Sequence, residues 1–593
     1  MRLRLLFSVL SAIFALSGLA QAVSDSQTAE KQAMIAFVHV NVIPMDRERV
    51  LAEQTVVIEG DRIKQIGPSK SIKLQATIQQ IEAKGSYLIP GLVDAHVHLQ
   101  SQIEFPVYLA NGITTVFNLE GRPAHLHWRK QVASGEVLGP AIFSTGPIFF
   151  GGRSAAEDVK LVDEQAAAGY DAIKIYNTVS KGEYTAIIAE GKRKNMLLMG
   201  HVAREPGFAL ALQSGQSIAH LDEIAYTNFN SKNDDDFDHL VLDDSKIPTI
   251  AQQIKAANIY VTPTLNNFAL TVQQATDLDA FLKNPELQYV APWTLENYQP
   301  ANNRAKNRFG PRLYPVLQNL LATQRKLLKA LSDDGVPLMA GTDATEVGPV
   351  AGFGLHHELQ EFVEDGFTPY QALATATTTP MRYLRQSAEV GTIEVGKRAD
   401  LVLLTGNPLT NISNTQKIAG VMVRGRWLEV KELTSRLRGV PAEYQREQHL
   451  VQKMLHDDPA RALPYLAEHD PTGQLAAFLI AEIASKNATE VVRILQAIRA
   501  ADLKAELSSE GRVNALGYAL INKRLFPQAI AVLTLNTENF PQSANTWDSL
   551  ADGFFQSGDV SSAVHSYRKA LETNNSYPNA DFAKKFAAEH GGK

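Results

Sequence analysis

The stretch Leu92-Val93-Asp94-Ala95-His96-Val97-His98 decides how this chain of 593 residues folds. It predicts an apolar strand that ends in two imidazoles two positions apart. Side chains alternate between the two faces of a strand, so His96 and His98 point the same way. Two imidazoles that converge at a strand end suit a divalent metal, although the pair alone is also compatible with ordinary polar side chains.

Seven more short apolar segments follow this strand, and helical stretches separate them. The eight predicted strands lie at residues 92–98, 113–119, 141–145, 172–176, 197–202, 217–220, 260–264 and 338–343. Alternating strands and helices favour a parallel sheet, and eight such units in roughly 250 residues are typical of a (β/α)8 barrel. We therefore expect an α/β fold with a barrel across residues 88–387.

Chemically useful side chains stand at the ends of several predicted strands. Active sites of such barrels gather at the carboxyl ends of the strands, where the loops to the next helices begin. The candidates are His96 and His98, Lys174, His201, His220 and Asp343. Tyr176 lies two residues beyond Lys174 and faces the same way if that strand continues, so we expect it to contact substrate or to pack at the rim.

Two β-rich segments flank the barrel. In the first, short alternating strands surround Gly60-Asp61, a pair typical of a two-residue hairpin turn. The second follows the barrel and contains apolar runs at 399–404 and 421–425. We expect residues 30–87 and 388–432 to form one small β-sandwich domain from both flanks.

The remaining chain, residues 441–593, is predicted to be helical and ends in a repeat of 34 residues. Its first copy, Val513, Leu516, Gly517, Leu520, Ala529 and Leu533, aligns with Trp547, Leu550, Ala551, Phe554, Ala563 and Tyr567. This pattern is typical of tetratricopeptide repeats, and a generic pair of helical hairpins is the alternative. Two repeats bury little surface by themselves. Capping helices, the barrel, a second subunit or a partner protein must therefore supply additional packing contacts.

The amino terminus predicts export. Arg2 and Arg4 precede an apolar run over residues 5–16 and then Ala20-Gln21-Ala22, the features of a secretory signal peptide at residues 1–22. An uncleaved anchor is the alternative, but the run is shorter than the roughly 20 residues that a membrane span needs. We expect a periplasmic or secreted protein with no membrane span after cleavage.

The composition of the chain argues against several classes of partner and catalytic group. The formal net charge is −6 and no large basic run occurs, which argues against a nucleic-acid partner. The chain has no cysteine, which excludes disulfides, thiolate metal ligands and cysteine nucleophiles. The candidate ligands carry only nitrogen and oxygen donors, and that set suits Zn²⁺, with Mn²⁺ or Co²⁺ as alternatives.

The chain resembles the amidohydrolase superfamily over about residues 34–427. The likeness is strongest at residues 91–98, at Ala340-Gly341-Thr342-Asp343 and at residues 396–402. The branch that it resembles most contains the imidazolonepropionase-related hydrolases, among them Xaa-Pro dipeptidases.

This resemblance implies two divalent metal ions bridged by a carboxylated lysine. The implied ligands are Lys174 as N6-carboxylysine, His96, His98 and Asp343 on the more buried ion, and His201 and His220 on the other. A lysine ammonium would repel a cation, whereas its carbamate is an anion with two oxygens. A surface lysine just past a strand is the alternative.

We therefore expect an exported metal-dependent hydrolase of C–N bonds, acting on N-acyl amino acids, small peptides or cyclic amides. A metal-bound hydroxide would attack the substrate, with Asp343 as general base and acid. One alternative is a deaminase or cyclic-amide hydrolase with one metal and an unmodified Lys174. Another is a binding protein that has lost catalysis and recruits a partner through its helical repeats.

Overall fold

The computed structural model describes residues 34–230, 237 and 240–591. The predicted signal peptide at residues 1–22 and residues 30–33 of the predicted sheet domain lie outside the described residues. Within these ranges the strands are β1 (Met34–Val42), β2 (Leu51–Glu59), β3 (Arg62–Pro68), β4 (Gln79–Glu82), β5 (Tyr87–Pro90), β6 (Leu92–Val97), β7 (Ile113–Asn118), β8 (Ala141–Ser144), β9 (Ala172–Ile175), β10 (Leu197–Gly200), β11 (Ser217–Ala219), β12 (Val261–Thr262), β13 (Leu401–Leu404), β14 (Ile418–Val423) and β15 (Arg426–Glu429).

The two flanks join in one sheet, in the order β15-β14-β13-β5-β1-β2-β3, with β4 also paired to β1. The predicted hairpin is confirmed, because β2 and β3 are antiparallel and Glu59 pairs with Arg62 across the turn. Gly60 has a φ of 60°, a left-handed conformation that glycine adopts easily. The hydrogen bonds connect all eight strands, so the structure differs from the two separate sheets that a sandwich implies.

The segment between the flanks contains two parallel sheets, β6-β7-β8 and β12-β11-β10-β9. Seven of the eight strands predicted for the barrel are therefore present. The eighth, residues 338–343, is extended chain whose ends form parallel bridges, Leu338 to Val261 and Ala344 to Val97. A third bridge, between Thr145 and Ala172, connects the two sheets.

Helices follow most of these strands, and a long helical insertion separates β12 from the extended segment. They are α1 (Phe105–Ala110), α2 (Pro123–Ser134), α3 (Ala155–Ala168), α4 (Lys181–Arg193), α5 (Gly207–Gln213), α6 (Leu221–Phe229), α7 (Ile247–Ala257), α8 (Leu265–Thr276), α9 (Leu278–Phe281), α10 (Pro292–Tyr298), α11 (Arg304–Arg308), α12 (Tyr314–Asp333), α13 (Phe353–Glu364), α14 (Pro369–Thr375) and α15 (Thr378–Tyr383). The insertion comprises α8 to α12 and reaches the candidate site described below.

The carboxyl-terminal region is helical among the described residues. Its helices are α16 (Val430–Asp457), α17 (Pro459–His469), α18 (Gln474–Lys486), α19 (Ala488–Ala501), α20 (Glu510–Asn522), α21 (Phe526–Asn539), α22 (Ala544–Ser557), α23 (Val560–Thr573) and α24 (Ala580–His590). The predicted start at residue 441 is wrong, because Pro441 lies inside α16. Leu433, Val440 and Tyr444 are buried, so one apolar face continues past the proline.

The repeat positions match the helix starts. Helices α20 and α22 begin at Glu510 and Ala544, and α21 and α23 begin at Phe526 and Val560, as the 34-residue period requires. The helical region also packs on the segment that carries the parallel sheets. The Trp128 indole N–H donates to the Glu468 carbonyl (3.0 Å). Among the described helices, none is both long and apolar enough to cross a bilayer.

Candidate metal centre

Three of the predicted side chains meet at the carboxyl end of β6. Asp343 Oδ1 lies 3.0 Å from His96 Nε2 and 3.1 Å from His98 Nε2. The two imidazoles share one face of their strand, as the alternation predicts, and their ring centroids are 5.5 Å apart. Asp343 reaches them because the extended segment runs beside β6, where the Ala95 N–H donates to the Ala340 carbonyl (2.9 Å).

Lys174 lies on β9 at the same centre. Its side chain is 1% exposed and its Nζ is 3.3 Å from His96 Nε2. Burial lowers the pKa of this amine to about 8, since an ammonium loses hydration in the interior. The alternative of a surface lysine is therefore wrong.

His201 and His220 complete the cluster from β10 and β11. The centroid of the His220 ring lies 4.7 Å from that of His96 and 4.9 Å from that of His201. His220 has a φ of 74°, an uncommon conformation for a residue with a Cβ. Its Nδ1 is 2.8 Å from Thr264 Oγ1, which fixes the ring so that Nε2 is left for other partners. Burial lowers the pKa of both histidines, so both are neutral near pH 7.

Asp94 is a buried support that the sequence analysis missed. Its carboxylate accepts hydrogen bonds from the Thr342 N–H (3.0 Å) and the Thr342 hydroxyl (2.8 Å). It thereby links the strand of His96 to the segment of Asp343. Burial raises the pKa of Asp94 to about 7, against the effect of these donors. A charged residue inside an apolar strand, two positions before His96, was the available signal.

Two more carboxylates face the outer side of the His98 ring. Glu120 Oε2 and Glu346 Oε1 lie 3.5 Å and 3.9 Å from His98 Nδ1. Burial opposes protonation of His98, but Asp343 and Glu120 together raise its pKa to about 10. The contact with His98 lowers the pKa of Glu120 to about 2. A carboxylate behind a ligating imidazole is a common way to orient such a ring.

A cavity of about 230 Å³ opens beside this cluster. Its walls include His201, His220, Asp222, Asn267, Arg304 and Asp343. Tyr176 is half-buried and packs between the rings of Phe150 (4.8 Å between centroids) and His201 (4.5 Å). Tyr176 therefore supports His201 and is not among the residues that line this cavity.

The arrangement of donors fits a cation. His96, His98 and Asp343 each present one ligand atom to a common point. Among the described residues, the buried Nδ1 atoms of His96 and His201 have no hydrogen-bond partner. Buried polar atoms are usually paired, so unpaired nitrogen atoms beside a carboxylate suit a metal ion. His96, His98 and Asp343 could therefore hold a divalent ion.

Parts of this sequence are similar to curated proteins. The 5-methylthioadenosine/S-adenosylhomocysteine deaminase of Caldanaerobacter subterraneus is 26% identical over 410 residues, which cover 62% of this chain and 84% of that protein. The imidazolonepropionase of an Arthrobacter species is 49% identical, but over 51 residues that cover 9% of this chain and 12% of that protein.

Solved structures show the same fold at low identity. Bottromycin amidohydrolase has a TM-score of 0.56 and 21% identity, covering 70% of this chain and 93% of its own. A Xaa-Pro dipeptidase with bound methionine has a TM-score of 0.52 and 19% identity. The match covers 67% of this chain and 100% of the dipeptidase chain. The profile of the amidohydrolase family matches residues 87–428, which is more than half of the chain. The chain therefore belongs to the amidohydrolase family.

Proposed function

We propose that this protein is an exported amidohydrolase that hydrolyses a C–N bond with two divalent metal ions, most simply Zn²⁺. In this proposal, the bridged sheets form a closed (β/α)8 barrel, and the last helices are tetratricopeptide repeats. Bound ions would polarise a carbonyl and lower the pKa of a water molecule. The proposed ligands are His96, His98, Lys174, His201, His220 and Asp343.

One observation carries the proposal: side chains from five separate segments converge on one buried point. The imidazoles of His96, His201 and His220 carry little positive charge of their own, since burial lowers their pKa values. Such a group is costly to bury without a compensating ligand, because unpaired polar atoms lose their hydration. A metal centre removes that cost and also explains why these residues are assembled.

Asp343 is the proposed general base and acid. Its Oδ2 accepts a hydrogen bond from the Asn267 amide (2.5 Å), while Oδ1 faces the histidines and the cavity wall. A carboxylate fixed in this way can take a proton from water as the carbonyl is attacked. It can then deliver that proton to the leaving nitrogen, which completes hydrolysis.

Lys174 is the proposed bridging ligand, as its carbamate. A neutral amine attacks carbon dioxide, the new N–C bond forms, and one proton leaves to solvent. Burial supports this step, because it lowers the pKa of Lys174 to about 8 and so increases the neutral fraction. The Lys174 amine lies 3.3 Å from His96 Nε2, so the carbamate would form beside the other proposed ligands.

The cavity favours amide substrates with charged ends. Arg304 lines one wall, and its positive charge also acts on the nearby Glu346 carboxylate. Asp222 offers a carboxylate to the same cavity beside His220. Burial raises the pKa of Asp222 to about 7, so this group can accept or donate a hydrogen bond near neutral pH. Together with Arg304 in a cavity of about 230 Å³ it suits a dipeptide, or an N-acyl amino acid held by its carboxylate.

A deaminase with one metal ion is the second candidate. The Caldanaerobacter relative is a 5-methylthioadenosine/S-adenosylhomocysteine deaminase. Its alignment with this chain covers 84% of the deaminase. In that case Lys174 stays unmodified, and one ion is bound by His96, His98 and Asp343, which share a common point.

Metal analysis of the purified protein separates the two candidates. We expect two ions per chain and a carbamate resonance in ¹³C NMR after equilibration with ¹³C-bicarbonate. Lys174→Ala should lose the resonance, at least one ion and hydrolysis of a panel of dipeptides and N-acyl amino acids. One ion per chain, no resonance and release of ammonia from adenosine derivatives would instead support the deaminase. Amino-terminal sequencing of protein from the periplasm tests export.

A further inference from the structure

The first turn of α8 carries a polar side chain whose place is not explained by packing. Asn267 is 8% exposed and lines the cavity beside Asp343. Its Nδ2 donates to Asp343 Oδ2 (2.5 Å). Its Oδ1 is buried and, among the described residues, has no hydrogen-bond donor. Other buried amide oxygens in the described part of the chain also lack a donor, Asn266 Oδ1 among them, but Asn267 is the one of these that lines the cavity, where a ligand could supply the donor.

The contact with Asp343 fixes the orientation of the Asn267 amide. Asn267 Nδ2 lies 2.5 Å from Asp343 Oδ2, and a carboxylate oxygen accepts hydrogen bonds, so the NH₂ end of the amide points toward Asp343. The oxygen end is therefore left for a donor on a bound substrate.

The backbone around Asn267 is held firmly. Glu358 on α13 is fully buried and accepts hydrogen bonds from the Leu265 N–H (3.0 Å) and the Asn266 N–H (2.7 Å). These are two of the first amides of α8, which have no partner within the helix. Glu358 thus fixes the first turn of α8 and, with it, the position of the Asn267 side chain.

We propose that Asn267 is a substrate-binding residue that accepts a hydrogen bond from the N–H of the amide to be cleaved. Its other end holds the Asp343 carboxylate, so one side chain aligns the scissile nitrogen with the group that protonates it. This inference rests on the proposed function. It specifies the substrate further, because a secondary amide has this N–H and a tertiary amide, such as the bond before proline, has none.

A pair of substrates tests the contact. Wild-type enzyme should cleave Xaa-Ala with a higher kcat/KM than Xaa-Pro. In Asn267→Ala, the ratio of the two values should fall by about two- to tenfold, the effect of one neutral hydrogen bond. Asn266→Ala is the matched control, because the Asn266 side chain donates to Glu361 (3.3 Å) and is not among the cavity-lining residues. It should keep the wild-type ratio.

A second measurement does not depend on activity. Cobalt-loaded protein should show a changed visible spectrum in Asn267→Ala, since Asp343 loses its fixed orientation, and an unchanged one in Asn266→Ala. An active wild-type enzyme whose Asn267→Ala variant keeps both the substrate ratio and the cobalt spectrum would overturn this inference alone. A wild-type protein that binds no cobalt and cleaves neither dipeptide would overturn the proposed function, and this inference with it.

Discussion

The cavities at the two ends of the parallel strands differ in whether the buried polar atoms around them have hydrogen-bond partners. The larger cavity, of about 520 Å³, lies at the amino-terminal end of β10 and β11. There the Tyr383 hydroxyl donates to the Leu198 carbonyl and the Arg385 guanidinium donates to the Asn195 carbonyl (both 3.1 Å). Among the described residues that line it, no buried side-chain polar atom lacks a partner.

The carboxyl-terminal end has the smaller cavity but, among the described residues, leaves His201 Nδ1 and Asn267 Oδ1 unpartnered. Cavity volume therefore does not identify the end that carries the candidate site. Unpaired polar atoms beside the cavity distinguish that end from the amino-terminal one, because a ligand there could replace their lost hydration.

The largest difference between the ends should appear in catalysis. Asp343→Asn removes the group that accepts and delivers the proton, so kcat should fall by roughly 10²- to 10⁴-fold. Arg385→Gln, at the opposite end, should keep kcat within about twofold. Steady-state kinetics on the substrate that the panel identifies measures both. Similar losses in the two variants would remove the distinction between the ends.

Metal removal should lower the stability of the protein, and substitutions at the carboxyl-terminal end of the strands should abolish that effect while substitutions at the amino-terminal end should not. With free metal at about 1,000 times Kd, binding to the folded state adds roughly 4 kcal/mol to the free energy of unfolding. Chelation should therefore lower the melting temperature of wild-type protein. His96→Ala should show little further change on chelation, and Tyr383→Phe should show the full wild-type change. Calorimetry with and without chelator tests this, and a full shift in His96→Ala would contradict it.

Arg304 should act on substrate binding at the same end. A hydrogen bond to a charged group is worth about 1.5–3 kcal/mol, so Arg304→Gln should raise KM by roughly 10- to 100-fold for substrates with a free carboxylate. Substrates with an amidated terminus should change much less. Lys306→Gln is the matched control on α11, because Lys306 is exposed and is not among the cavity-lining residues. Equal effects of both variants would indicate a general charge effect.

The smallest effect is expected at the amino-terminal end. Tyr383→Phe removes the donor to the Leu198 carbonyl but keeps the buried ring, which should cost about 1 kcal/mol of stability. Activity should stay at the wild-type level. Urea unfolding and kinetics measure the two quantities. A loss of activity in this variant would show that the two ends are coupled.

Periodicity explains what the sequence could predict about the site. His96 and His98 share a face because strand geometry requires it, and their rings are 5.5 Å apart. Lys174, His201, His220 and Asp343 could be found because each stands at the end of an apolar run, and in a barrel those ends meet. Their shared position does not by itself establish metal binding. The ligand roles and the carbamate stay proposals, and the signal peptide stays a prediction.

Other features could not be read from local patterns. Asn266 and Glu358 lie 92 positions apart in the sequence, and the Asn266 N–H reaches the Glu358 carboxylate only because α8 and α13 pack together. The continuation of α16 through Pro441 depends on an apolar face that packs against α1. Such features depend on which elements become neighbours, and that information is spread over the whole chain.

The sequence by itself determined the order of strands and helices, the hairpin at Gly60-Asp61 and the identity of the six candidate ligands, since each depends on short-range periodicity. The tertiary structure alone decided the order of the strands in the sheet that both flanks share, the contact of Asn267 with Asp343 and the position of the smaller cavity beside the candidate ligands. Those outcomes follow from long-range packing and from hydrogen bonds that close only when distant segments meet.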